Sequence, residues 1–112
     1  MNFTYEDHSA VTLVRINVPR ATADVSKEFK TFLFDLVDNQ KHQRILVDFS
    51  KVEFADSSFL GSLVSGLKKS TAIKGDIKIL SLQQPVRTMF ELTRLYKVFE
   101  IFDNESDAIK SF

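Results

Sequence analysis

The stretch Arg44–Leu67, RILVDFSKVEFADSSFLGSLVSGL, leaves this chain few folds to choose from. Ile45-Leu46-Val47 is a near-continuous apolar run, the pattern of a central strand covered on both faces. Asp48-Phe49-Ser50-Lys51 leaves that strand, and Val52 and Phe54 are expected to point back into the core. After Asp56 the apolar spacing turns helical, with Leu60, Leu63, Val64 and Leu67 on one face. Gly61 and Ser65 lie one turn apart, as do Ser58 and Ser62, so a neighbouring backbone can come close there. Lys68, Lys69 and Lys74 fall where a helix dipole favours cations, and Gly75 is expected to close the helix as a C-terminal cap.

The flanking sequence repeats the alternation. Phe3 and Tyr5 mark a short half-buried strand, and Val11–Val18 reads as a second, ended by Pro19. Thr22 or Asp24 is placed to cap a helix over residues 24–39, with Phe29, Phe32, Leu33, Leu36 and Val37 on its apolar face. Ile77, Ile79 and Leu80 form another strand. Pro85 suits the first turn of a helix that turns Val86, Met89, Phe90, Thr93 and Tyr96 inward and Arg87, Glu91 and Arg94 outward. Val98, Phe99, Ile101 and Phe102 read as a last short strand, and Ser106–Phe112 as a terminal helix. Helices alternating with strands require crossovers and a parallel sheet, whereas the opening strand pair is antiparallel. The expected fold is α/β, a mixed and mostly parallel sheet of about five strands with about four helices. Residues 1–112 are expected to form one domain, without repeat or linker.

Composition removes several functions. Fifteen basic and fifteen acidic residues cancel, so nothing electrostatic draws the chain to nucleic acid or anionic lipid. The absence of Cys excludes disulfides, Cys-ligated zinc and thiol catalysis. MNFTYEDHSA lacks the basic flank and apolar run of a signal peptide, and no apolar run reaches membrane-spanning length. A soluble, cytoplasmic protein is expected.

Enzyme motifs fail residue by residue. Gly61–Gly66 is followed by Leu67, where a phosphate-binding loop needs Lys, and its glycines fall inside a helix. Gly61-Ser62-Leu63 is not a nucleophile elbow. His8 and His42 sit apart in polar surroundings and read as surface residues, not a metal or catalytic pair. Asp48 ends a central strand as a receiver phosphoacceptor does, but Val18-Pro19-Arg20 supplies no acidic pair for magnesium. The turn Asp56-Ser57-Ser58 remains. On one reading Asp56 or Ser57 simply caps the helix, satisfying its free N–H groups. On the other, a Ser exposed at a helix N-terminus accepts a phosphate that dipole and amides tolerate. That phosphate adds about 1.5 to 2 negative charges in a contact surface.

Leu46-Val47-Asp48-Phe49-Ser50-Lys51-Val52-Glu53-Phe54-Ala55-Asp56-Ser57-Ser58-Phe59-Leu60-Gly61 resembles the signature of the STAS domain, named for sulphate transporters and anti-sigma factor antagonists. The family pattern is a strand ending in Asp-Leu-Ser, then Asp-Ser-Ser/Thr-Gly-Leu-Gly. The likeness extends to Thr22-Ala23, the Gly75–Leu80 strand, the helix Val-x-x-Met-Phe-Glu-Leu-Thr-x-Leu and the closing Val-Phe-Glu-Ile-Phe. It implies a STAS fold and a partner-switching regulator of transcription, not an enzyme, with no cofactor and no metal. The Ser after the Asp, here Ser57, is then the phosphoacceptor, with Ser58 secondary. The implied partners are an anti-sigma factor that is also a serine kinase of the histidine-kinase-like ATPase fold, and a serine phosphatase. The unphosphorylated form binds the anti-sigma factor and frees its target. Asp56, Ser57, Ser58, Phe59, Gly61, Ser62 and Thr22 are the expected contacts, on a monomer or weak dimer. Two departures stand out. Phe59 replaces the family's first Gly, either as an exposed partner anchor or packed inward. Ile16-Asn17-Val18-Pro19 stands where many antagonists read Gly-x-Leu-Asp, without the Asp that helps engage the kinase. The alternative is an unphosphorylated STAS scaffold or small-ligand module in a signalling complex.

Overall fold

In a computed structural model describing residues 1–112, the chain runs through seven strands and four helices. β1 (Phe3–His8) and β2 (Val11–Ile16) form the antiparallel opening pair. β3 (Arg20–Ala21) leads into α1 (Ala23–Phe34), whose end widens into a π-helical turn at Asp35–Asn39. β4 (Arg44–Asp48), β5 (Phe54–Ala55) and α2 (Ser57–Ala72) follow. β6 (Asp76–Leu80), α3 (Gln84–Leu92), a 3-10 turn at Leu95–Lys97, β7 (Ile101–Phe102) and α4 (Glu105–Lys110) complete the chain. Five strands make one sheet in the order β1-β2-β4-β6-β7, parallel except for β1 against β2. β3 and β5 form a separate two-residue parallel ribbon. This is the expected mixed, mostly parallel architecture.

Register decides which side chains share a face. Val14, Val47, Ile79 and Ile101 stand in one row across the sheet, and Leu13, Leu46 and Lys78 in the next. Because successive strand residues point to opposite faces, these rows feed two cores. The larger lies under α1, α2 and α3 and includes Phe29, Leu33, Phe59, Leu63, Val86 and Phe90. The smaller joins Val11, Leu13, Leu46 and Leu80 to Ala108 of α4. Lys78 is buried on this second face, where its Nζ donates to the Ser111 carbonyl at 2.8 Å and Oγ at 2.9 Å. The cation lies 4.6 Å from the Phe112 ring centroid and 3.5 Å from the Glu100 carboxylate, so an ion pair and the last residues together satisfy its charge. No helix is long and apolar enough to cross a membrane.

Several elements stop earlier than periodicity alone predicts. The strand beginning at Val11 ends at Ile16, before Pro19. The helix read as continuous to Asn39 changes pitch at Asp35, with Leu36 and Val37 still buried. α3 ends at Leu92 because Arg94 turns left-handed at φ 60°. Thr93 and Tyr96, expected inward, are therefore exposed, as is Val98; only Ile101–Phe102 of the last segment is strand. Gly75 is not the left-handed residue closing α2. Lys74 is, at φ 63°. Gly75 instead permits close approach, since a Cβ there would meet the Gln43 carbonyl at 2.6 Å. Val52 is buried as expected, but Phe54 is 38% exposed.

Candidate functional site

The β3–β5 ribbon builds the site. Arg20 pairs with Phe54 and Ala21 with Ala55, and the residue after each strand is the N-cap of a helix. The Glu53 and Phe54 N–H groups donate to the Pro19 carbonyl at 2.8 and 3.2 Å, fixing the two chain segments side by side. The starts of α1 and α2 are thereby brought to one corner, and Asp56 occupies it. One of its carboxylate oxygens accepts the Phe59 N–H at 3.0 Å, the ordinary N-cap bond of α2. The other accepts the Ala23 N–H at 2.9 Å, in the first turn of α1. Thr22 holds the N-cap position of α1 but makes no capping bond through its side chain, nor does Asp24; Asp56 does that work from another element. Two positive helix ends thus converge on one carboxylate.

Ser57 and Ser58 follow Asp56 in the first turn of α2, and both are exposed. Their position comes from the cap: with Asp56 extended at φ −106° and ψ 173°, the next residues enter the helix facing away from the sheet. Thr22 is half-buried beside them. Gly61 is exposed one turn further along, with nothing within 4 Å of where a Cβ would stand. Ser62 belongs to a different surface. It is buried, and its hydroxyl donates to the Ser26 carbonyl at 3.0 Å, so it joins α2 to α1. Phe59 is fully buried, stacked on Phe29 with ring centroids 4.4 Å apart and 6.2 Å from Phe3. Of the two placements open to it, the inward one is realised. Neither Phe59 nor the Ser62 hydroxyl is presented to a partner, which corrects their expected role as contacts.

The first Asp of the motif is equally occupied. Asp48 is buried and accepts the Arg15 guanidinium at 2.7 Å, the Ser50 N–H at 2.9 Å and the Ser50 hydroxyl at 3.2 Å. It turns the chain out of β4, and it belongs to no group of three or more His, Cys, Asp or Glu side chains placed to hold a metal ion. Arg15 also binds Glu6 at 2.7 Å and approaches Glu105 at 3.7 Å. The Arg15 hydrogen bond holds the Glu6 carboxyl below its usual pKa, and the same bond raises that of Arg15. His42, expected at the surface, is half-buried; it is hydrogen-bonded to Thr12 and meets the Tyr5 ring edge-on at 5.6 Å. His8 stays near the surface beside Glu6, at 3.5 Å.

The fold has parallels among known proteins. The STAS domain family model matches residues 2–108. A proposed anti-sigma factor antagonist of Thermotoga neapolitana is 32% identical over 82 residues, covering 73% of each chain. The anti-sigma F factor antagonist of Paenibacillus polymyxa is 24% identical over 93% of this chain and 88% of its own. The crystal structure of a proposed anti-sigma factor antagonist from Thermotoga maritima superposes with a TM-score of 0.86 at 27% identity, covering 97% of this chain and 92% of that one. SpoIIAA of Bacillus in its phosphorylated form shares the fold at a TM-score of 0.74 and 17% identity, over 97% of both chains. The strand order, the Asp48 and Asp56 turns and a family match that spans nearly every element converge on one conclusion: the chain belongs to the STAS domain family.

Proposed function

We propose that this protein is an anti-sigma factor antagonist that switches partners by phosphorylation at Ser57. Unphosphorylated, it binds an anti-sigma factor that is also a serine kinase, and the factor releases its target. The kinase then transfers the γ-phosphoryl group of ATP to the Ser57 Oγ, with loss of the hydroxyl proton and departure of ADP. The phosphoprotein leaves the factor, and a serine phosphatase restores the hydroxyl. The chain is the substrate in this cycle, and Ser58 is the secondary acceptor.

The observation that carries this reading is the exposure of Ser57 next to a carboxylate already committed to two helix ends. A phosphate there adds about 1.5 to 2 negative charges beside Asp56. Asp56 cannot swing away without uncapping α1 and α2, so the added charge falls on the partner's side of the surface. The relatives named as anti-sigma factor antagonists point to the same class of partner. Incubation with the cognate kinase and ATP, read by intact mass, tests the assignment. The parent gains one phosphate, and Ser57→Ala gains it far more slowly, through Ser58 alone; transfer to Ser57→Ala at the parental rate overturns the site.

A second reading, an unphosphorylated STAS scaffold, draws on Ile16-Asn17-Val18-Pro19, which lacks the loop Asp expected to help engage the kinase. Intact mass of the protein from its native host separates the two. Absence of phosphate in every growth state favours the scaffold.

A further inference from the structure

The face around Ser57 has lost the aromatic anchor that Phe59 offered in sequence, since that ring stacks on Phe29 in the core. Another aromatic side chain stands exposed three residues before Ser57. Phe54 is 38% exposed on β5, two residues before Asp56. Its backbone is held by the ribbon, and its ring lies under the guanidinium of its register partner Arg20, 4.8 Å from Cζ to the centroid. Arg20 is itself exposed, and none of the fold's ion pairs uses it, whereas Arg15 and Arg87 are each bound to carboxylates.

We infer that the Arg20–Phe54 pair is the specificity-determining contact of this protein with its anti-sigma factor, a partner surface that offers a carboxylate to the guanidinium and an apolar socket to the ring; the inference rests on the function proposed above. Arg and aromatic side chains dominate the binding energy of protein interfaces, most when their rotamers are set in advance. The cation–π contact biases both toward one arrangement, which reduces the side-chain freedom lost on binding. The unpaired charge of Arg20 supplies the complement to an acidic group. The pair also couples to the switch. A phosphate on Ser57, three residues after Phe54, repels the carboxylate that Arg20 attracts, so one modification weakens the contact.

The test uses the full chain and the kinase that phosphorylates Ser57, with affinity measured by calorimetry in the absence of ATP. Arg20→Ala and Phe54→Ala each weaken binding at least about tenfold, with thermal midpoints near the parental value because both side chains are on the surface. Phe54→Tyr recovers most of what Phe54→Ala loses. Arg20→Ala also flattens the salt dependence of association, a signature that Phe54→Ala lacks. If both Ala variants bind like the parent while Ser57→Asp does not, the pair is not the contact and the switch stands. If the parent itself binds no such kinase, the inference falls together with the function it rests on.

Discussion

The carboxylate of Asp56 bonds the backbone N–H of Ala23, thirty-three positions earlier in the chain, at 2.9 Å. Through its other oxygen it caps its own helix at Phe59. A residue that reads as a local cap is therefore also a tie between two helices. Asp56→Ala should cost about twice an ordinary N-cap, or about 1–4 kcal/mol given ~0.5–2 kcal/mol per cap. The discriminating readout is hydrogen exchange. Amides at the start of α1 lose protection, although the substitution lies in another element. Asp56→Asn keeps one acceptor oxygen and falls between parent and Ala.

Phe54 stands at the rim although the sequence points it inward, and Phe59 takes the inward one of the two placements the sequence leaves open. Phe59→Ala removes a buried ring stacked on Phe29 and tilted against Phe3 and should destabilise the fold by about 3–5 kcal/mol. Phe54→Ala, at the rim, should change stability by no more than about 1 kcal/mol. Urea denaturation of the two variants checks the contrast, and similar losses in both contradict it.

The two helical glycines of α2 should respond with opposite sign. Gly61 has open space where a Cβ would stand, so Gly61→Ala stabilises by about 0.5–1 kcal/mol through helix propensity. At Gly66 the same Cβ would come within 2.7 Å of Leu33 Cδ1, a side chain buried between α1 and α2. Gly66→Ala should cost about 1–3 kcal/mol by overpacking. Thermal midpoints report both.

Stability should fall in acid partly through Glu6. Its hydrogen bond to Arg15 lowers the folded pKa beneath the ordinary 4.5. The unfolded chain therefore binds protons first as pH drops, so the stabilisation is complete above that value and is lost as pH falls through the lowered one. Asp35, lowered by hydrogen bonds from Asn39 and Gln40, acts in the same direction from 3.8 downward. Glu6→Gln should be less stable than the parent at neutral pH and show a shallower acid decline. Denaturation midpoints followed from neutral pH into this range check both parts.

Patterns local to a few turns were legible in the sequence. Ile45-Leu46-Val47 marked the central strand, and alternation fixed the parallel sheet, because burial on both faces leaves a short apolar run no other place. Asp56 was legible as a cap of α2 because that bond spans three residues. Its bond to Ala23 was not, because it depends on the β3–β5 ribbon, whose two-residue strands carry no periodicity. The same ribbon explains Phe54. Alternation from Val52 sends it inward only if the segment belongs to the main sheet, and it belongs to the rim. Tyr96 departs from its expected inward position for a related reason: helical spacing continues past Leu92, but Arg94 in a left-handed conformation ends the helix first.

The most direct test of the switch is the affinity of the same preparation for its anti-sigma factor before and after stoichiometric phosphorylation at Ser57. The account predicts tight binding of the unphosphorylated protein and at least about hundredfold weaker binding of the phosphoprotein, a difference of about 2.7 kcal/mol. Equal affinities for the two forms would contradict it.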